Sequence, residues 1–96
     1  MKIENEAMAG TLESSDLLVK VSPAQGLEIV INSNVIKQFG AQIRKVVEQT
    51  LAQLGVTDGL IVIDDKGALD CAIKARVQSA VLRSSGVEEL DWSKLQ

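Results

Sequence analysis

The chain of 96 residues has no histidine and no tyrosine, and only one cysteine, one proline, one phenylalanine and one tryptophan. Each shortage removes a class of chemistry. Without histidine there is no serine or cysteine triad of the usual kind, no imidazole acid or base near neutral pH, and no histidine-ligated zinc or iron. The lone thiol, Cys71, forms neither an intramolecular disulfide nor a cysteine cluster for zinc or an iron–sulfur centre. Carboxylates remain available for catalysis, but they need a pocket that raises a pKa. Positive charge is short as well: 10 Lys and Arg stand against 13 Asp and Glu, for a net charge of −3. With a pI near 4.8, the chain repels a phosphate backbone, and nucleic acid is not an expected partner. Long apolar runs are absent too. The longest clear one, Leu60-Ile61-Val62-Ile63, is far below the ~20 residues that span a bilayer. Met1-Lys2-Ile3-Glu4-Asn5-Glu6 lacks the apolar segment of a secretory signal. These features lead to the expectation of a cytoplasmic protein with no membrane partner.

What is present suits a folded chain with one core. Hydrophobic residues make up 46% and charged residues 24%, too apolar for disorder at this net charge and too short for two cores, so residues 1–96 are expected to form one domain. Ala7 to Glu13 is an extended candidate, Ser14-Ser15-Asp16 is a polar turn cluster, and Leu17 to Val21 is rich in strand formers. Together they predict a hairpin with its tip at Ser14 to Asp16. A second turn falls at Ser22-Pro23-Ala24-Gln25-Gly26. Leu27, Ile29 and Ile31 then alternate with polar residues, predicting a half-buried strand antiparallel to its predecessor.

From Val35 to Leu54 the period lengthens: Ile36, Phe39, Ile43, Val46, Val47, Thr50, Leu51 and Leu54 recur at steps of three and four, with Asn32 to Asn34 as N-capping candidates and Gly55 as the C-cap. Leu60 to Ile63 reads as the central strand. A second helical period follows Asp64-Asp65-Lys66-Gly67, with Leu69, Ala72, Ile73, Val77, Ala80 and Val81 on its apolar face, Lys74, Gln78 and Arg83 outside, and Gly86 as its end. The tail from Val87 to Gln96 reads as irregular, docked by Leu90 and Trp92. The order ββ(β)αβα predicts an α+β two-layer sandwich: a small mixed sheet of three or four strands with two helices covering one face. If the strands around Ile31 and Leu60 are parallel, their helical crossover is right-handed.

Few residues offer chemistry. Ser14 and Ser15 are turn formers whose hydroxyls bond the local backbone, or exposed hydroxyls that another enzyme modifies; spacing does not choose between the two. Neither is a nucleophile in its own right, since no base accompanies it. Asp64 and Asp65 are adjacent and point apart, without the spaced oxygens of a calcium loop, so they read as helix-initiation residues together with Asp70; no metal site is expected. Cys71 reads as a small, partly buried helix residue. Lys37, Arg44, Lys45, Lys74, Arg76 and Arg83 decorate solvated helix faces. Arg76 leans toward the apolar stripe and is placed to meet a carboxylate of the sheet or of a partner chain.

Three stretches together carry a resemblance: Ala9-Gly10-Thr11-Leu12-Glu13-Ser14-Ser15-Asp16, Ile31-Asn32-Ser33-Asn34-Val35-Ile36-Lys37-Gln38-Phe39-Gly40, and Asp64-Asp65-Lys66-Gly67-Ala68-Leu69-Asp70-Cys71 with Ala75-Arg76. From about Lys2 to Trp92 the chain resembles the gamma subunits of bacterial citrate lyases, the acyl carrier proteins of that enzyme. The resemblance implies a covalent 2′-(5″-phosphoribosyl)-3′-dephospho-coenzyme A, joined by a phosphodiester to the serine of a Gly-Thr-x-Glu-Ser-x-Asp motif, which is Ser14 here. It implies that the arm's thiol carries acetyl and citryl thioesters during cleavage of citrate to acetate and oxaloacetate in citrate fermentation. The partners it implies are an acyl-transferring alpha subunit, a citryl-cleaving beta subunit and a prosthetic-group transferase. The chain itself would then be a non-catalytic carrier, with Glu13 and Asp16 as turn or recognition residues that meet basic surfaces. No Asp-Ser-Leu occurs, and the period-two segments separate this chain from the helical fatty-acid type of carrier. Two other readings stand beside it: a ligand-binding or regulatory α/β module, favoured by a preformed pocket and a buried hairpin tip, and a carboxylate enzyme using Asp64 or Asp65.

Overall fold

The computed structural model describes residues 1–33 and 40–85. In chain order they form β1 (Ala7–Gly10), β2 (Leu17–Ser22), β3 (Leu27–Ser33), α1 (Gly40–Gln53), β4 (Gly59–Asp65) and α2 (Asp70–Ser84). The strands make one mixed sheet in the order β1-β2-β4-β3, so the expected α+β sandwich is the observed architecture. β1 and β2 form the predicted antiparallel hairpin. Its first strand ends at Gly10, and the Thr11 to Glu13 stretch read as extended belongs to the connecting loop.

β3 does run antiparallel to β2, but it does not lie beside it. β4 enters between them, antiparallel to β2 and parallel to β3. An apolar strand placed centrally has both edges paired and one face fully covered, which is why the run around Ile61 and Ile63 is the most deeply buried strand. Alternation fixes the two faces. Leu17, Val19 and Val21 on β2 and Ile61 and Ile63 on β4 turn inward. They pack with Ile43, Val47 and Leu51 of α1 and Ile73, Val77, Ala80 and Val81 of α2 into one cluster. Each such side chain contributes roughly 1.5–3 kcal/mol through removal from water.

The helix ends follow local chemistry. Gly55 has φ +70, its N–H donates to Ala52 O at 3.1 Å, and the Val56 N–H donates to Leu51 O at 3.0 Å. This is the paired-bond C-cap that favours glycine, closed by the apolar contact of buried Val56 and Leu51. α2 begins at Asp70, leaving Leu69 outside it and 73% exposed. Leu69 therefore leaves the apolar stripe assigned to it, because helical periodicity has no meaning before the first helical residue. Cys71 is exposed rather than partly buried; one position after the helix start it lies off the Ile73–Val77 stripe. Asn34, Val35, Ile36, Lys37, Phe39, Gly86 and the tail 87–96 lie outside the described residues.

Candidate functional site: the β1–β2 hairpin tip

The hairpin tip is assembled from backbone bonds first. The Thr11 N–H donates to Leu17 O at 3.0 Å to close the loop, and the Asp16 N–H donates to Glu13 O at 3.2 Å to close a turn with Ser14 and Ser15 at its centre. Ser15 has φ +66, the only positive φ of a residue other than glycine among the described residues. A positive φ at the third position alone is the pattern of a type II turn, which normally takes Gly or Asn there. The strain is held by the body of the protein. The Ser15 N–H donates to Lys66 O at 2.8 Å, and the Lys66 N–H donates to Asp16 O at 2.9 Å. The tip thus lies against the β4–α2 loop by its backbone, while Thr11 to Ser15 remain exposed.

Asp16 is the polar centre of the tip. Its carboxylate accepts the Thr11 hydroxyl at 2.7 Å, the Leu17 N–H at 2.8 Å, and Arg76 Nε and Nη2 at 3.2 and 2.9 Å. The Thr11 hydroxyl in turn accepts the Glu13 N–H at 3.2 Å. The Thr11 hydroxyl bond, the Leu17 amide and the Arg76 guanidinium, in that order, lower the Asp16 pKa from 3.8 to about 2. Arg76 therefore meets a carboxylate of its own chain, 60 residues back in sequence. Asp16, expected as a turn or recognition residue, is a turn residue with its oxygens consumed internally, and it offers little to a basic partner.

Like Ser15, Ser14 sits exposed in the turn, at its second position, and neither hydroxyl has a hydrogen bond to any described residue. Glu13 is exposed beside it, and Leu12 is 58% exposed. Gly10 explains how the tip closes: at φ +100 a methyl there would overlap the Leu17 carbonyl oxygen and stand 3.3 Å from Arg76 Cδ. Sequence reading found Ser14, Gly10 and Asp16 through the motif, but not Thr11 as a carboxylate donor or Lys66 as a backbone anchor. Only the hydroxyl of Thr11 two residues before Glu13 hinted at a local turn bond.

The other candidates do not converge into a site. Asp65 is 2% exposed, and its oxygens accept the Ala68 N–H and the Ser33 hydroxyl, both at 3.0 Å. Asp64 points elsewhere, toward Asn32 Nδ2 at 3.3 Å. The two carboxylates part as expected, and among the described residues no three His, Cys, Asp or Glu are gathered for a metal. A cleft of about 220 Å³ lies beside Gln42, Ile43, Asp65 and Asp70. Gln42 Nε2 donates to Asp70 at 3.0 Å, so its polar groups satisfy one another. Arg44 and Arg83, read as solvated, reach the carbonyls of Ile29 and Met8 on the two edge strands at 2.9 and 2.7 Å. Among the described residues no helix is long and apolar enough to cross a membrane.

A small scaffold that anchors one strained turn by its backbone and leaves the Ser14 and Ser15 hydroxyls exposed suits a carrier, a protein acted upon by others. Comparison with known proteins agrees. The family model described as malonate decarboxylase delta subunit (MdcD), an acyl carrier protein family, matches residues 4–84. The citrate lyase acyl carrier protein of Pectobacterium atrosepticum is 65% identical over 96 residues, covering 99% of this chain and all of that one. The protein of the same name from Albidiferax ferrireducens is 61% identical over 98 residues, covering all of both. In the crystal structure of a Pseudomonas malonate decarboxylase hetero-tetramer in complex with malonate, one chain superimposes with a TM-score of 0.75 at 23% identity, over 84% of each. That last likeness shows the fold. The chain belongs to the citrate lyase acyl carrier protein family. It is an acyl carrier and not itself an enzyme.

Proposed function

We propose that Ser14 is the attachment point of a covalent 2′-(5″-phosphoribosyl)-3′-dephospho-coenzyme A and that the chain carries acyl groups for citrate lyase in the cytoplasm. The observation that carries this reading is the Ser14 hydroxyl on its turn: exposed, without a hydrogen bond to any described residue, and presented by a turn whose backbone is anchored to Lys66. The Ser15 hydroxyl shares that exposure, and the motif is what favours Ser14. The residues fit such a group. A phosphodiester at Ser14 Oγ displaces no hydrogen bond to a described residue and falls at an exposed position, and the motif read in the sequence occupies the same turn. Once attached, the arm would supply a terminal thiol for thioester chemistry, the reactive group this chain lacks.

The chain's own part is to hold Ser14 still for the prosthetic-group transferase and then to present the arm to alpha and beta subunits of citrate lyase. The names of the relatives support this assembly. Loading joins Ser14 Oγ to the phosphorus of an activated donor as the donor's leaving group departs, and the transferase supplies the base that takes the Ser14 proton, since this chain has no histidine. Co-expression with the attachment machinery, followed by intact-mass measurement, tests the assignment. The wild type and Ser15→Ala should gain the mass of the group, and Ser14→Ala should not. An unmodified wild type, or a loaded Ser14→Ala, refutes it.

A further inference from the structure

Arg76 belongs to α2, yet its side chain reaches the tip. Its stem crosses β1 where Gly10 has no side chain, 3.3 Å from the position of a methyl, and its fork takes both oxygens of Asp16. Asp16 in turn holds the Thr11 hydroxyl and the Leu17 amide, and the backbone of Asp16 and Ser15 is tied to Lys66. Asp16 directly, and Thr11 through it, therefore answer to one guanidinium, and the strained φ of Ser15 persists because this network and the bonds to Lys66 over-determine it.

We propose that Arg76 is a positioning residue for loading of the carrier: the attachment enzyme reads a folded turn completed by α2, not the linear motif alone. The proposal rests on the assignment of Ser14 given above. It acts through geometry. Arg76 touches neither the Ser14 hydroxyl nor a reacting atom; through Asp16 it fixes where that hydroxyl stands, and a turn that must first be ordered binds the transferase more weakly. Lysine cannot replace it fully, because an ammonium is a single point and the Asp16 oxygens are held as a pair.

Steady-state loading of full-length unmodified protein by the transferase and its activated nucleotide donor, read by intact mass with the site mapped by peptide fragmentation, tests this. Arg76→Gln should lower kcat/KM at least tenfold, mainly through KM, Arg76→Lys should recover part of the loss, and Ser15 amide exchange should quicken in step. Arg83→Gln removes a charge from the same helix and its bond to the Met8 carbonyl of β1 without touching the turn, and should stay within twofold of wild type. Asp16→Asn supplies the same comparison from the other side of the pair should Arg76→Gln not fold. Loading of Arg76→Gln or Asp16→Asn at the wild-type rate overturns the role of Arg76, as does an equal loss in Arg83→Gln. A wild type loaded on another residue instead overturns the Ser14 assignment, and the Arg76 role with it.

Discussion

Replacing Gly10 with alanine isolates the steric demand of the hairpin from the cost of a positive φ, because Gly26 provides the matching control. Gly10 has φ +100 and Gly26 has φ +76, but a methyl at Gly10 meets the Leu17 carbonyl and Arg76 Cδ, while a methyl at Gly26 meets nothing within 4 Å. Both substitutions carry the backbone penalty of roughly 1–2 kcal/mol for a left-handed residue, offset by about 0.4–1 kcal/mol from the stiffer unfolded chain. Gly26→Ala should therefore cost about 1 kcal/mol. Gly10→Ala must also push strand from strand: about 1–3 kcal/mol for overpacking and about 1 kcal/mol for the weakened Thr11 to Leu17 hydrogen bond. The sum, on the order of 3–5 kcal/mol, is a large part of the roughly 5–14 kcal/mol expected for a chain of this size. Urea unfolding followed by far-UV circular dichroism measures it. With a slope of about 1–1.5 kcal/mol per molar, the midpoint of Gly10→Ala should fall about 2 M below that of Gly26→Ala. Equal midpoints would refute the claim that Leu17 and Arg76 need the empty space at Gly10.

Acid provides a second test. Asp16 has its pKa lowered from 3.8 to about 2, so its stabilising contribution is complete above about pH 4 and is lost as pH falls through 2; carboxyl-carbon NMR should place its midpoint near 2, and a midpoint near 4 would contradict the network. Ser15→Gly removes the strain of φ +66 and should raise stability by up to about 1 kcal/mol, the left-handed penalty less the greater freedom of glycine when unfolded, read as a small rise in Tm; a clear drop would show that the side chain matters to the turn. Asp65→Ala strips acceptors from the Ala68 N–H and the Ser33 hydroxyl and should cost about 1–3 kcal/mol in the same unfolding assay. A change below about 0.5 kcal/mol, the scale of neutral surface substitutions, would deny Asp65 its role in the loop.

Local pattern carried most of the fold. Strand formers in Leu17 to Val21, period two in Leu27 to Ile31, period near 3.6 from Ile43 to Leu54 and from Ile73 to Val81, and glycine after Leu54 all describe neighbours in sequence, and the elements of the described residues stand where those patterns put them. The errors fall mostly at element ends: Leu69 before its helix, Cys71 at its first turn, Thr11 to Glu13 in the hairpin loop, and Asn32 and Ser33, which extend β3 instead of capping a helix. Strand order was not legible in the same way. That β4 enters between β2 and β3 is a pairing of segments more than 30 residues apart, decided by which strand most needs cover on both edges.

The candidate site divides along the same line. The sequence by itself determined that little chemistry is its own, since the chain has no histidine and one thiol, and it placed a serine pair in the turn between the first two strands; the exposure of that thiol was a finding of the structure. Between Ser14 and Ser15 the hydroxyls do not differ, both being exposed and without a hydrogen bond among the described residues. The backbone does, since Ser15 is held in a strained conformation against Lys66, and the choice of Ser14 rests on the motif. The pairing of Asp16 with Arg76 spans 60 residues, a distance over which no periodicity operates. The arginine stem passes close to Gly10, where a methyl would stand 3.3 Å from its Cδ, on its way from the far helix to the tip.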